Sequence, residues 1–456
     1  MSENSGIERT QTSFGKRFIF GLPRFGTSIV LGVEGFALFT LYYTAYGVDS
    51  LLIGFALAMG YLSIALGQFL LGWVSDAKYT KIGRRKPYII VFGPLLGISF
   101  IFLLLPGLVL PDMNDKNALF FWLLIWDIIF RFSYAVTTPY QAWMAEEFPV
   151  YERPKVSQMQ NTFNFIGNGI MALTTLLIFT DAFDEIKANP SAIPSTFLTI
   201  IVIFGAISSV LFILIVFIMP TEPYYEIKST LIDNLKSTVK NKTFMKIVLM
   251  QGISGFAWSM TSSVMLTFTE EVLNLSGFDY ILVSLFLLLG IFIFLYIWRK
   301  QIEKIGKKET LIYIFYFGIF FLPISLLGLT TIIPSLIFGI IFILGIAGIL
   351  GGWYLFPYIM YADIAEDYEK QTGELKAGVY VGFPSIVLNI FQAIGIFLLG
   401  AITSLPDVMV GTVTFSLGLV IWGPIASVIL IVSLLFTKKY VVLDFEWEKK
   451  GIKEEN

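Results

Sequence analysis

Twelve apolar runs of membrane-crossing length dominate this chain, near residues 25–45, 52–74, 88–107, 118–141, 158–180, 196–219, 247–269, 278–298, 310–329, 334–360, 377–402 and 410–436. A helix rises about 1.5 Å per residue, so roughly 20 apolar residues cross the ~30 Å hydrocarbon core, and each run is long enough to do so. Only 14% of the 456 residues are charged while 56% are hydrophobic, too few charges to coat a soluble domain of this size. The expected fold class is an all-α membrane protein of twelve transmembrane helices in two six-helix bundles. The expected organisation is a cytoplasmic tail at 1–24, a bundle at 25–219, a cytoplasmic linker at 220–246, a second bundle at 247–436 and a cytoplasmic tail at 437–456.

Orientation follows from the basic residues. Alternate loops and the two tails hold 28 of the 31 Lys and Arg, the opposite loops hold only Lys116 and Lys187, and Arg131 lies inside a span. The positive-inside rule then puts both termini in the cytoplasm of a cell-membrane protein. The first 18 residues are polar and mixed, unlike a secretory signal. With a net charge of −2 and no basic domain, nucleic acid is excluded as a partner. The chain has no Cys and no His, which removes disulfides, thiolate chemistry and His-based acid–base catalysis. No nucleotide loop, metal-ligand cluster or nucleophile–base pair points to an enzyme, so no cofactor is expected, and any proton chemistry must run on carboxylates.

The two halves repeat at an offset of about 220 residues. After the second run the chain reads Lys81-Ile82-Gly83-Arg84-Arg85-Lys86, and after the eighth Lys304-Ile305-Gly306-Lys307-Lys308. Ala145-Glu146-Glu147 follows the fourth run, as Ala365-Glu366-Asp367 follows the tenth. A Lys-rich amphipathic stretch at 225–243 joins the halves and suits the anionic leaflet surface. Gly72-Trp73-Val74-Ser75-Asp76 with Gly83-Arg84-Arg85-Lys86-Pro87 resembles the loop signature of major facilitator superfamily (MFS) transporters. Pro139-Tyr140-Gln141-Ala142 with Glu146, and Pro357-Tyr358 with Asp363, Asp367-Tyr368 and Thr372-Gly373, further resemble the glycoside-pentoside-hexuronide cation symporters, the family of melibiose permease, and their sucrose-proton relatives. The resemblance implies a cytoplasmic gate built from Asp76, Gly83, Arg84, Arg85, Glu146, Asp363 and Asp367. Simple anchoring of basic loops is the alternative for the same charges.

The family's acidic cation ligands align here with Ser28, Ile64, Gln68 and Thr137, and its lysine in the eleventh span is missing, so a sodium site of that type is not expected. Three ionisable residues remain at depth: Glu34, Asp127 and Arg131. A buried charge costs about 2.5–3.5 kcal/mol even on lenient scales, so each needs a partner or a cavity. Glu34 and Arg131 lie at matching depths, and Asp127 is one turn from Arg131 on the same face. One guanidinium could therefore exchange between two carboxylates, coupling transport to a proton; a fixed Asp127–Arg131 pair is the alternative.

Sugars require many hydrogen-bonding groups and flat apolar faces. The fifth span supplies Ser157, Asn161, Asn164 and Asn168 on one face, the seventh Gln251, Ser254, Trp258 and Thr261, and the eleventh Ser385, Asn389 and Gln392. Trp353, beside Gly351 and Gly352, could stack on a sugar ring. Interhelical hydrogen bonding, and plain packing for Trp353, are the competing uses of these residues. The expected function is secondary active transport of a glycoside or oligosaccharide with a proton. The expected partners are a small-molecule sugar and the lipid bilayer, and the working form a monomer. A lipid or amphiphile carrier, an uncoupled facilitator and a transporter-like sensor are the alternatives.

Overall fold

The computed structural model describes residues 13–77, 79–148, 153–221, 239–372 and 377–443. Residues 1–12 and 444–456 of the expected tails, most of the linker stretch 225–243 and the side chains of Asp76, Glu146, Asp363 and Asp367 lie outside the described residues, whereas 13–24 and 437–443 are described and are largely helical.

Among the described residues, twelve long helices follow one another. Helix α1 runs through Phe14–Gly21 and Pro23–Thr40 into a π turn at Leu41–Ala45, and α2 spans Ser50–Ala77. Helix α3 is Lys86–Leu104, while α4 comprises Lys116–Tyr134 and, after a break, Thr137–Glu147. Helix α5 covers Arg153–Thr174 and continues through a π turn at Thr175–Phe179 into Thr180–Ala188; α6 is Ser195–Ile218. In the second half α7 is Lys242–Thr267 with a π turn at Phe268–Val272, α8 is Gly277–Ile305, and α9 is Lys307–Phe321 with a 3₁₀ extension to Leu329. Helices α10, α11 and α12 are Ser335–Thr372, Ala377–Thr403 and Gly418–Tyr440.

Among the described residues, every one of these except α7 contains a stretch apolar enough to cross a membrane. The exception is instructive. Gln251, Ser254, Ser259, Thr261, Ser262, Ser263 and Thr267 dilute its hydropathy, yet all seven are buried in protein. A helix packed largely within protein has less need of an apolar surface.

The twelfth run does not begin at 410, as the hydropathy suggested. Asp407–Val410 and Val413–Ser416 form an antiparallel hairpin, β1–β2, turning at Gly411 with φ of +62°. The β-branched Val and Thr residues that look like span are strand-formers alternating about a turn.

The duplication is visible bond for bond. Leaving α1, Tyr46 N–H reaches Leu41 O and Val48 N–H reaches Tyr42 O; leaving α7, Leu273 N–H reaches Phe268 O and Leu275 N–H reaches Thr269 O. Each exit then turns on a left-handed residue, Gly47 or Asn274. At the other end Gly83 (φ +108°) and Gly306 (φ +91°) occupy equivalent loops. Lys86 Nζ donates to Met219 O at the end of α6 at 2.8 Å, as Lys308 Nζ donates to Lys438 O in the last turn of α12 at 3.3 Å.

Candidate functional site

Arg131 is the centre of a buried ionic cluster between α1, α2 and α4. Glu34, Asp127 and Arg131 are all at most 3% exposed. Asp115 caps α4 by accepting from the Asn117 and Ala118 amides, and the helix then places Asp127 and Arg131 one turn apart. Arg131 Nη2 donates to Glu34 Oε1 across to α1. Its Nε faces Asp127 Oδ1 at 3.6 Å, an ionic contact beyond hydrogen-bonding reach. From α2, the Tyr61 ring lies beneath the guanidinium with its centroid 3.6 Å from Cζ. Among the described residues, Glu34 Oε2 and both Asp127 oxygens have no hydrogen-bond partner. Two carboxyls share one permanent cation, so a single proton renders the cluster neutral.

All three charges were legible in the sequence because ionisable residues inside apolar runs stand out. Tyr61 was not, since a tyrosine in a span carries no such mark, and neither was Gly60 beside it.

The polar stripes divide. On α5, Asn164 Oδ1 accepts from Ser28 of α1 and, at 3.4 Å, from Asn168 Nδ2. Ser28, which stands where the symporters carry an acid, thus makes an interhelical bond to the stripe. Asn161 is half-buried on the same face. On α7, Ser254 and Thr261 bond back to their own helix, at Met250 O and Ala257 O, and Ser259 reaches Gln392 O of α11 at 3.1 Å. Gln251 is fully buried with its Oε1 unpartnered, and Asn389 and Gln392 are buried on α11. Trp258 and Trp353 come together with Ser254 and Thr261 around a cavity of about 20 Å³ inside the second bundle. That volume holds one water and no sugar, so in this conformation Trp353 packs among apolar neighbours such as Ile314 and Leu430.

At the end carrying the basic loops, Arg85 Nη1 donates to Ser75 Oγ at 2.7 Å and Arg84 is buried. Gly83 pairs with Thr80 in a tight bridge. Lys86, besides its bond to Met219, stands 5.6 Å over the Trp143 ring. These contacts brace the first bundle internally.

The two bundles meet at the opposite end. Thr40 and Thr267, equivalent residues of α1 and α7, share a hydrogen bond of 3.0 Å. Ser50 Oγ donates to Gly400 O at 3.1 Å, and α2 and α11 touch backbone to backbone at Gly54 and Gly400. Lys187 pairs with Glu271 across the halves at 3.3 Å, beside a polar cavity of about 270 Å³ that also takes in Asp184 and Glu270. The protein is closed at this end.

Solved structures share this architecture. The nucleoside transporter NupG superposes with a TM-score of 0.61 at 13% identity, covering 93% of this chain and 98% of that one. The xylose transporter XylE from E. coli, in a partially occluded inward-open conformation, gives 0.64 at 13% identity over 94% and 98%. A bacterial homologue of the human lysosomal transporter Spinster, inward-facing and unoccupied, gives 0.60 at 12% over 93% and 96%. Identities this low speak for the fold alone. No curated protein sequence matches the chain. The model of the MFS/sugar transport protein family matches residues 19–439, nearly the whole chain, and the protein therefore belongs to that family as a multi-pass secondary transporter of a small solute, not an enzyme.

Proposed function

We propose that this protein carries a sugar across the cell membrane together with a proton, by alternating access. The observation that carries the coupling is the placement of Arg131 on Glu34 with Asp127 3.6 Å away. Breaking a buried pair leaves an uncompensated charge that costs several kcal/mol. Whichever carboxyl the guanidinium leaves therefore takes up a proton, and its return expels that proton. Tied to the rocking of one bundle against the other, this exchange makes proton release and uptake steps of the transport cycle. Sodium is disfavoured because Ser28, Ile64, Gln68 and Thr137 stand at the acidic positions of the symporters this chain resembles. A sugar is favoured by the amides of α5, α7 and α11 and by the motif resemblance to glycoside symporters. With the basic loops in the cytoplasm, closure at the opposite end supports reading this as a state shut towards the outside.

The test is counterflow and pH-gradient-driven uptake of labelled xylose, melibiose and sucrose in proteoliposomes. Glu34→Gln is expected to abolish gradient-driven accumulation while exchange continues, because a glutamine cannot carry the proton. Accumulation at the wild-type level would remove Glu34 from coupling, and sodium-stimulated uptake at fixed pH and membrane potential would overturn the choice of ion.

A further inference from the structure

Helix α2 contributes no charge to the ionic cluster, yet its backbone and one ring shape it. A Cβ added at Gly60 would fall 1.8 Å from Asp127 Oδ2, 2.7 Å from its Cγ and 2.8 Å from Arg131 Cδ. The Asp127 carboxyl therefore occupies the space where any other residue at position 60 would begin. One residue on, Tyr61 puts its ring face 3.6 Å from the guanidinium carbon. One turn along the same helix, Ser63 Oγ donates to Ile128 O at 2.9 Å and fixes the α2–α4 register at this level. The titratable groups around Asp127 are Glu34 and Tyr42 from α1, Tyr61 from α2 and Arg131 from its own helix. Tyr42 is tied to Leu103 O at 2.8 Å.

Tyr61 holds Arg131 by its ring face, which attracts the guanidinium without directional preference in the plane, and also by a side-chain hydrogen bond. The cation can turn on such a surface from Glu34 towards Asp127 while keeping that attraction.

We propose, resting on the proton-coupled reading above, that Gly60 and Tyr61 are the positioning residues of the exchange: the notch at Gly60 seats Asp127 within reach of Arg131, and the Tyr61 ring is the platform on which the guanidinium turns. No other side chain fits position 60 while Asp127 remains in place, and an aromatic face is what position 61 requires.

The notch is tested by thermal unfolding in detergent of Gly60→Ala, Asp127→Ala and the double variant. Gly60→Ala lowers the midpoint in the wild-type background and lowers it much less once the Asp127 carboxyl is gone; equal drops in both backgrounds overturn the notch. The platform is tested by the pH profile of sugar accumulation. Tyr61→Leu is expected to reduce gradient-driven accumulation about tenfold more than counterflow, a loss of about 1.4 kcal/mol in coupling. Tyr61→Phe, which keeps the ring, restores both, and a leucine variant matching the phenylalanine one overturns the platform. Should wild-type uptake show no pH dependence, the proton reading fails and the platform with it, while the stability cycle still decides the notch.

Discussion

At Asn164 one carboxamide is claimed twice, by Ser28 across the α1–α5 contact and by the sugar-lining role proposed for its face. Its neighbour Asn161, one turn nearer the basic end, is half-buried without that tie to α1, so the two separate binding from packing. Asn161→Leu is expected to weaken sugar binding by about 1–3 kcal/mol, roughly 5- to 150-fold, with the thermal midpoint unchanged. Asn164→Leu is expected to lose affinity and stability together, because the Ser28 hydroxyl also loses its interhelical acceptor and keeps only Arg24 O of its own helix. Affinity from substrate-protected unfolding and midpoints in detergent decide between them. Intact affinity with a lowered midpoint in both variants would make the stripe interhelical glue. The stripe itself was plain in the sequence from its spacing of four, three and four. Its commitment to Ser28 was not, because periodicity locates a helix face without saying what that face meets.

Elements repeat more faithfully than residues do. The π turns that end α1 and α7, and the left-handed residues Gly47 and Asn274 behind them, share backbone geometry but little sequence. In the sequence the duplication shows only in the Lys-Ile-Gly loops and in the Ala145-Glu146-Glu147 and Ala365-Glu366-Asp367 triplets; in the loops, a glycine at positive φ and a lysine reaching a helix end tolerate few replacements. Hydropathy located the spans and misjudged their limits. It ran the hairpin from Val410 onward into α12, and it missed both the break in α4 after Tyr134 and the continuation of α10 to Thr372, because a loop or a polar helix end leaves no apolar trace. The repeated lysines allow a comparison within one molecule. Lys86 donates from a buried position and Lys308 from an exposed one. Lys86→Ala should cost about 1.5–3 kcal/mol by leaving the Met219 carbonyl dry and unpaired, whereas water replaces Lys308. Unfolding midpoints of the two single variants in detergent check this, and equal losses would show that both loops clamp alike.

For the whole molecule the decisive contact is the closure between halves, and it rests on small residues. Gly54 and Gly400 let α2 and α11 meet backbone to backbone, with Ser50 bonding Gly400 O and Thr40 bonding Thr267 beside them. A Cβ at Gly54 would come 2.8 Å from Gly400 Cα and 2.9 Å from Ile396 O. Both are main-chain atoms that cannot swing aside as a side chain would, so Gly54→Val must separate the helices. Overpacking of this kind costs about 1–3 kcal/mol, and here the cost falls only on the state closed at this end. The variant is therefore expected to shift the conformational equilibrium about 5- to 150-fold towards opening there. The absence of native cysteine makes the measurement clean. Thr40, 1% exposed and hydrogen-bonded to Thr267 of the other half, is uncovered when the halves part. In a Thr40→Cys background, Gly54→Val should raise the rate of labelling by a membrane-impermeant maleimide by about the same factor. An unchanged rate in a protein that remains folded would mean that α2 and α11 yield locally, and that the closure does not depend on their glycines.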